Sequence, residues 1–219
     1  MTVHFSSRVD ISAPNPIAAA QASAATAGIT LGKLNDSNPT RHGLAPQEIP
    51  NVYEANPRGP KAARESLAGF LGDQSGRAVD SERLYLLSST SEAYSWLIKL
   101  LCDAGDAVLA PKPGYPLIES IAGLECVHAI EYQLHYDGAW YIEPADIAAI
   151  LDSPEGERVR ALVLINPNNP TGSYVKENER EALVALCRER GIAIIADEVF
   201  FDYDLEPIAA NRRLAGEEG

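Results

Sequence analysis

Two stretches of the chain hold side chains whose types and spacing suit chemistry: Asn166-Pro167-Asn168-Asn169-Pro170-Thr171-Gly172 and Ala196-Asp197-Glu198-Val199-Phe200. Each directly follows a strand-like run, 160–165 and 192–195. Both are therefore expected to be loops at the carboxyl ends of neighbouring buried strands, where open α/β sheets bind ligands. In the first stretch two prolines and a glycine fix an irregular backbone, and Asn168 and Asn169 offer amides able to donate to a phenolic oxygen. The other reading is a rigid loop with no ligand. Asp197 is expected to be partly buried at its strand end, and a buried carboxylate needs a partner to stay charged. It is either the partner of a protonated ring nitrogen, keeping a bound pyridine cationic, or an acid that caps the next segment.

Two more positions belong to the same layer. Ser88-Ser89-Thr90-Ser91 lies between an expected strand and a helix N-terminus, where free N–H groups and the helix dipole attract an anion and Thr90 and Ser91 add hydroxyl donors. A plain serine cap is the alternative. Tyr115, between Gly114 and Pro116 at another strand end, either lays its ring against a flat ligand or is a core tyrosine.

The elements that must position these loops read as alternating strands and helices. Strands are expected at 83–87, 107–110, 126–130, 160–165 and 192–196, and a further short one at 29–34. Helices are expected from Asn15-Pro16 to Ala27, from Pro60 to Leu71 with Ala63, Leu67, Phe70 and Leu71 on its apolar face, and after Ser91 with Ala93, Trp96, Leu97, Leu100 and Leu101 inward. Others run to Ala122, over 143–151 and over 177–190, the last ended by Gly191. The alternation predicts an α/β fold with a mostly parallel sheet and helices on both faces. Residues 1–45, with their alanine-rich helix of small residues, are expected to form an arm that packs on another surface, and Asn35 to Thr40 reads as turn chemistry in which Asn38 is a turn residue.

The 219 residues, 46% of them apolar, supply ample core for one large or two small domains. A net charge of -13, from 31 acids against 18 bases spread along the chain, argues against a nucleic-acid or anionic-membrane partner. No signal peptide or membrane-spanning run is readable. Cys102, Cys126 and Cys187 are odd in number and embedded in apolar patterns, so neither a disulfide framework nor a metal site is expected, and the cytoplasm is the expected compartment.

Taken together, the loops resemble those of the class I/II aminotransferases, fold type I enzymes that use pyridoxal 5'-phosphate (PLP). The resemblance runs from about Asn35 to Tyr203 and rests above all on Asn-Pro-Asn-Asn-Pro-Thr-Gly followed by Ala-Asp-Glu-Val-Phe. It implies that Thr90 and Ser91 hold the cofactor phosphate, that Tyr115 stacks on the pyridine ring, that Asn169 donates to the ring's phenolic oxygen and that Asp197 binds the ring nitrogen. Tyr53 resembles the tyrosine that reaches the phosphate of the neighbouring subunit, which implies a homodimer. The implied substrates are an amino acid and a 2-oxo acid, and residues 46–219 would be an incomplete large domain, with part of a small domain in 1–45.

Two departures from the family stand out. Phe200 occupies a position where the family commonly has a tyrosine, removing one donor to the phenolic oxygen. The lysine that holds the cofactor covalently is expected a few tens of residues beyond Asp197, after which this chain runs only 22 more, and none of Lys33, Lys61, Lys99, Lys112 or Lys176 has the expected Ser-x-Ser-Lys context. The substrate-binding arginine is expected later still. The chain therefore reads as the front part of an enzyme with no catalytic lysine of its own. Two other outcomes fit the same residues: a PLP-dependent lyase acting by elimination at the β or γ carbon, and a non-catalytic regulator that keeps the fold.

Overall fold

The computed structural model describes residues 4, 6–8, 15–32, 38–48, 51–206, 208 and 211–214, in two compact units, 1–57 and 58–219. The break falls where Arg58 is tied into the second unit: its carbonyl accepts from Leu86 N at 3.0 Å and its guanidinium pairs with Glu82. In the first unit helix α1 (Pro16–Thr26) starts on an Asn15 cap that accepts from Ile17 N at 2.8 Å. It buries none of its residues. Asn38 caps a 3-10 turn, accepting from Thr40 N at 3.1 Å, as a turn residue does. No strand forms over 29–32, and the rest of that expected strand, 33–34, lies outside the described residues, as do Lys33 and the turn residues 35–37. Gly32 and the absence of a pairing edge among the described residues explain why 29–32 forms no strand.

The second unit is built on one five-stranded sheet: β1 (Ala107–Lys112), β2 (His128–Tyr136), β3 (Trp140–Ile142), β4 (Val159–Ile165) and β5 (Ala193–Asp197). Their order is β3-β2-β1-β4-β5, with β2, β1, β4 and β5 parallel and β3 antiparallel at the edge. The sheet separates two apolar layers. Residues Ala161, Val163 and Ile165 of β4 face helices α3 (Thr90–Leu101) and α4 (Leu117–Leu124), while Leu162 and Leu164 face α5 (Pro144–Leu151) and α6 (Glu177–Arg190). A strand buried on both faces reads as the near-continuous apolar run that the sequence shows. Helix α6 has Glu177 and Glu179 in its first turn, Arg188 and Arg190 in its last, and Gly191 at φ 65° as its stop, each matched to the dipole or the cap.

Three expectations change. Of the strand expected at 83–87, Arg83 ends a 3-10 turn and 84–87 pairs with no strand among the described residues, so the short apolar run there marks a coil that packs rather than a ladder. Helix α2 (Lys61–Ser75) buries Arg64 and Ala68 instead of Ala63 and Phe70. The Arg64 guanidinium turns in to reach the carbonyls of Gly59 and Ser81 and the carboxylate of Glu82. Helix α3 buries Tyr94 and Ile98, whereas Trp96, Leu97 and Leu100 of the expected inner face are exposed, Leu100 by 77%. Both stripes of α3 are apolar at helical spacing; position against β5, and a polar contact described below, decide between them.

Candidate active site

The chain winds outward from β1 in two directions, first to β2 and β3 on one side and then to β4 and β5 on the other. The loops after β1 and β4 therefore part at their carboxyl ends, and the crevice between them is where open α/β sheets take ligands. The loop after β4 is fixed from inside. Asn166 is buried; its Nδ2 donates to the carbonyl of Arg212 at 3.1 Å, and its Oδ1 accepts from Val175 N at 3.0 Å. Asn168, 6% exposed, donates from Nδ2 to the Pro113 carbonyl at 3.1 Å and to Thr171 Oγ1 at 2.9 Å, joining the two loops across the crevice. Of the two amides expected to face a ligand, Asn168 is thus committed to the loop itself. Asn169 is half-buried, and its side chain makes no hydrogen bond among the described residues.

Asp197 closes β5, level with Ile165 of β4, and its carbonyl accepts from Asn166 N at 2.8 Å. Its carboxylate is held at both oxygens. Tyr94 donates its hydroxyl to Oδ2 at 2.9 Å and Val199 donates its backbone N–H to Oδ1 at 3.1 Å. The Val199 bond makes Asp197 the cap of the next turn, so that alternative holds in part, yet each oxygen keeps a second acceptor direction. Tyr94 was not among the residues singled out from sequence. Burial, and then the charge of Asp197, hold its phenol far above the ordinary tyrosine range, so it remains a donor.

Helix α3 brings the phosphate candidates to the same edge, since Thr90 begins the helix whose next turn carries Tyr94. Its cap is made by Ser89, which accepts from Glu92 N at 3.2 Å, while the Glu92 carboxylate accepts from Ser88 N at 2.9 Å and Ser88 Oγ at 2.7 Å. Those bonds hold Glu92 below the usual carboxylate range. The plain-cap reading therefore holds for Ser89, while Ser88 is committed to the Glu92 carboxylate. Thr90 and Ser91 keep first-turn N–H groups and hydroxyls with no hydrogen bond among the described residues. Tyr115, in the loop after β1, is partly buried against the α3/α4 layer and within electrostatic range of Tyr94.

Thr90, Ser91, Tyr115, Asn169 and Asp197 thus share the carboxyl edge of the sheet. Tyr53 belongs to the other unit, where it is 89% exposed. Each of the four described lysines pairs with a carboxylate: Lys61 with Glu65, Lys99 with Glu125, Lys112 with Glu131 and Lys176 with Glu179. Among the described residues no cluster of His, Cys, Asp and Glu suits a metal ion. The small cavity behind Asn168, about 10 Å³ and lined by Tyr132, Trp140 and Glu179, has room for one water at most. The donor set at the edge, hydroxyls at a helix start, an uncommitted amide, an aromatic ring and a doubly held carboxylate, fits a phosphorylated, hydroxylated pyridine.

These features define a fold type I site, an α/β sheet carrying a ligand crevice at its strand ends. The chain belongs to the family of class I and II aminotransferases, whose model matches residues 52–218. That family works with pyridoxal 5'-phosphate. The glutamate-pyruvate aminotransferase AlaA of Haemophilus influenzae is 29% identical over 183 residues, 79% of this chain and 44% of that protein. The mitochondrial alanine aminotransferase 2 of Arabidopsis thaliana is 32% identical over 146 residues, 65% of this chain and 27% of its own length. Among solved structures, an aminotransferase from Escherichia coli superposes with a TM-score of 0.74 and 25% identity over 90% of this chain and 51% of that one. A PLP-bound protein of this kind from Clostridium difficile 630 gives a TM-score of 0.61 at 25% identity, over 69% of this chain and 38% of that one. The chain spans from about a quarter to under half the length of the curated relatives it matches. No helix among the described residues is long and apolar enough to cross a membrane.

Proposed function

We propose that these residues form the ring- and phosphate-holding part of a PLP-dependent aminotransferase that moves an amino group between an amino acid and a 2-oxo acid. The observation that carries the proposal is Asp197, a carboxylate fixed at both oxygens on a strand end, with the uncommitted amide of Asn169 in the loop that follows the adjacent strand β4. When bound, the cofactor supplies an electron-withdrawing ring that takes up the electron pair left as the amino acid loses its α-proton. Asp197 holds the proton on the ring nitrogen. Asn169 donates to the phenolic oxygen, Tyr115 covers one face of the ring and excludes water from it, and Thr90 and Ser91 bind the phosphate through N–H and hydroxyl donors.

Phe200 offers no hydroxyl, so Asn169 supplies the donor at the phenolic oxygen without its help. No residue of this chain is assigned the covalent attachment or the proton transfer, because none of its lysines stands in the expected Ser-x-Ser-Lys context. We assign Tyr53 to the phosphate of a second copy in a homodimer, which its exposure within its own unit supports. Residues 1–45 are the arm of that assembly and 46–219 its large domain, acting in the cytoplasm. The names of the relatives make alanine, glutamate and pyruvate the first substrates to examine.

Binding tests the assignment. Titrating the chain with PLP is expected to give a saturable visible band that Asp197→Asn and Asn169→Ala weaken at least about tenfold in affinity. A band of equal strength in both variants, as capture by surface lysines would give, refutes it.

A further inference from the structure

Helix α3 carries two things to the crevice, and only one of them belongs to the phosphate. Its first turn holds Thr90 and Ser91, and one turn on the hydroxyl of Tyr94 meets Asp197 Oδ2 at 2.9 Å. We propose that Tyr94 is the positioning residue for the ring-nitrogen acid: its hydroxyl fixes the carboxylate of Asp197 in the orientation that receives the ring N–H, so that one helix sets both ends of the cofactor site. The inference rests on the PLP reading given above.

Three observations support it. Tyr94 is 2% exposed, and a buried phenol needs an acceptor; the acceptor here is the carboxylate of Asp197 at a strand end rather than a backbone carbonyl. The contrast is Tyr132, equally buried, whose hydroxyl donates to the Val163 carbonyl and leaves no trace at the crevice. Second, the two donors on Asp197 come from different elements, Tyr94 from α3 and the Val199 N–H from the turn after β5. A carboxylate held at one oxygen can still swing about its χ angles, whereas one held at both is fixed in plane and direction, which a binding site requires of its charged groups. Third, the phenol stays protonated at any working pH, its ionisation opposed by burial and by the charge of Asp197, so the bond to Asp197 keeps the same donor throughout. The ring of Tyr94 packs with Ile98 and Ile195 in the α3/α4 layer, and a phenylalanine would fill that space without the hydroxyl.

The test uses the full chain and two probes without an aldehyde, so that surface lysines do not capture them: pyridoxine 5'-phosphate and its analogue with carbon in place of the ring nitrogen. Calorimetric titration of the wild-type chain is expected to show at least about a tenfold preference for the nitrogen-bearing probe, about 1.4 kcal/mol. Tyr94→Phe reduces that preference to about threefold or less while leaving affinity for the carbon analogue unchanged. Tyr94→Leu, which alters the packing differently, gives the same reduced ratio, and adding Tyr94→Phe to Asp197→Asn changes the ratio no further. Thermal melting by circular dichroism confirms that each variant is folded. A preference kept in Tyr94→Phe overturns the role of Tyr94 and leaves the PLP reading standing. A wild-type chain that shows no preference, or binds neither probe, overturns the assignment of Asp197 to a ring nitrogen, and the role of Tyr94 with it.

Discussion

Asn166 and Asn168 lie two residues apart in one loop, both buried, and their truncation is expected to cost very different amounts. Asn166 has both ends satisfied, and Asn166→Ala removes two hydrogen bonds while stranding the buried N–H of Val175. The Arg212 bond at about 1 kcal/mol, with the stranded Val175 donor costing about 1–3 kcal/mol, brings the loss to about 2–4 kcal/mol. Asn168 also gives up two bonds in Asn168→Ala, but its Oδ1 is buried with no partner among the described residues. Removing that oxygen relieves a penalty of about 1–3 kcal/mol, which offsets most of the roughly 2 kcal/mol lost. Equilibrium urea unfolding measures the difference: with a slope of about 3 kcal/mol/M for a chain of this size, the midpoint falls by about 1 M for Asn166→Ala and by under about 0.4 M for Asn168→Ala. A midpoint drop for Asn168→Ala equal to that of Asn166→Ala refutes the reasoning, since Oδ1 would then have to be paired.

Three further outcomes are expected. On α3, Ile98→Ala destabilises by about 2–5 kcal/mol while Leu100→Ala stays within about 0.5 kcal/mol, as thermal or urea unfolding of the two variants will show. Glu92, held below the ordinary carboxylate range by Ser88, stabilises the start of α3 fully at neutral pH and loses that contribution as pH falls through its depressed folded value; Glu92→Gln therefore lowers the unfolding midpoint at pH 7, and the difference shrinks as the pH is taken down through that value. The Cys187 thiol, buried and pushed up to about 11, is expected to resist alkylation by iodoacetamide at pH 8 while exposed Cys126 reacts, which peptide mass mapping distinguishes.

Much of the fold was legible because it depends on local chemistry. Helix α6 matches its expected span, having acids at one end, arginines at the other and Gly191 as a stop, and β4 is apolar from Ala161 to Ile165 because both its faces are covered. What stayed hidden depends on partners distant in sequence. Strand β3 is three residues long and exists by pairing with β2, and 84–87 is apolar like a buried strand without acquiring a strand neighbour among the described residues. At the site, residue type and spacing pointed to Asp197 and to the loop at 166–172. They could not separate Asn168, turned inward on Pro113, from Asn169, or pick out Tyr94, whose partner is 103 positions away.

Helix α3 is apolar on two sides, and that gives the contact between Tyr94 and Asp197 a second meaning. A helix with such a surface has a competing seat: turned about its axis, it would bury Trp96 and Leu100 and expose Ile98, exchanging one apolar stripe for another. The rotated helix would leave the Tyr94 hydroxyl without its acceptor and Asp197 without one of its two donors. The bond between Tyr94 and Asp197 therefore acts as a key that admits one rotation of the helix and rejects the other, selecting among compact states.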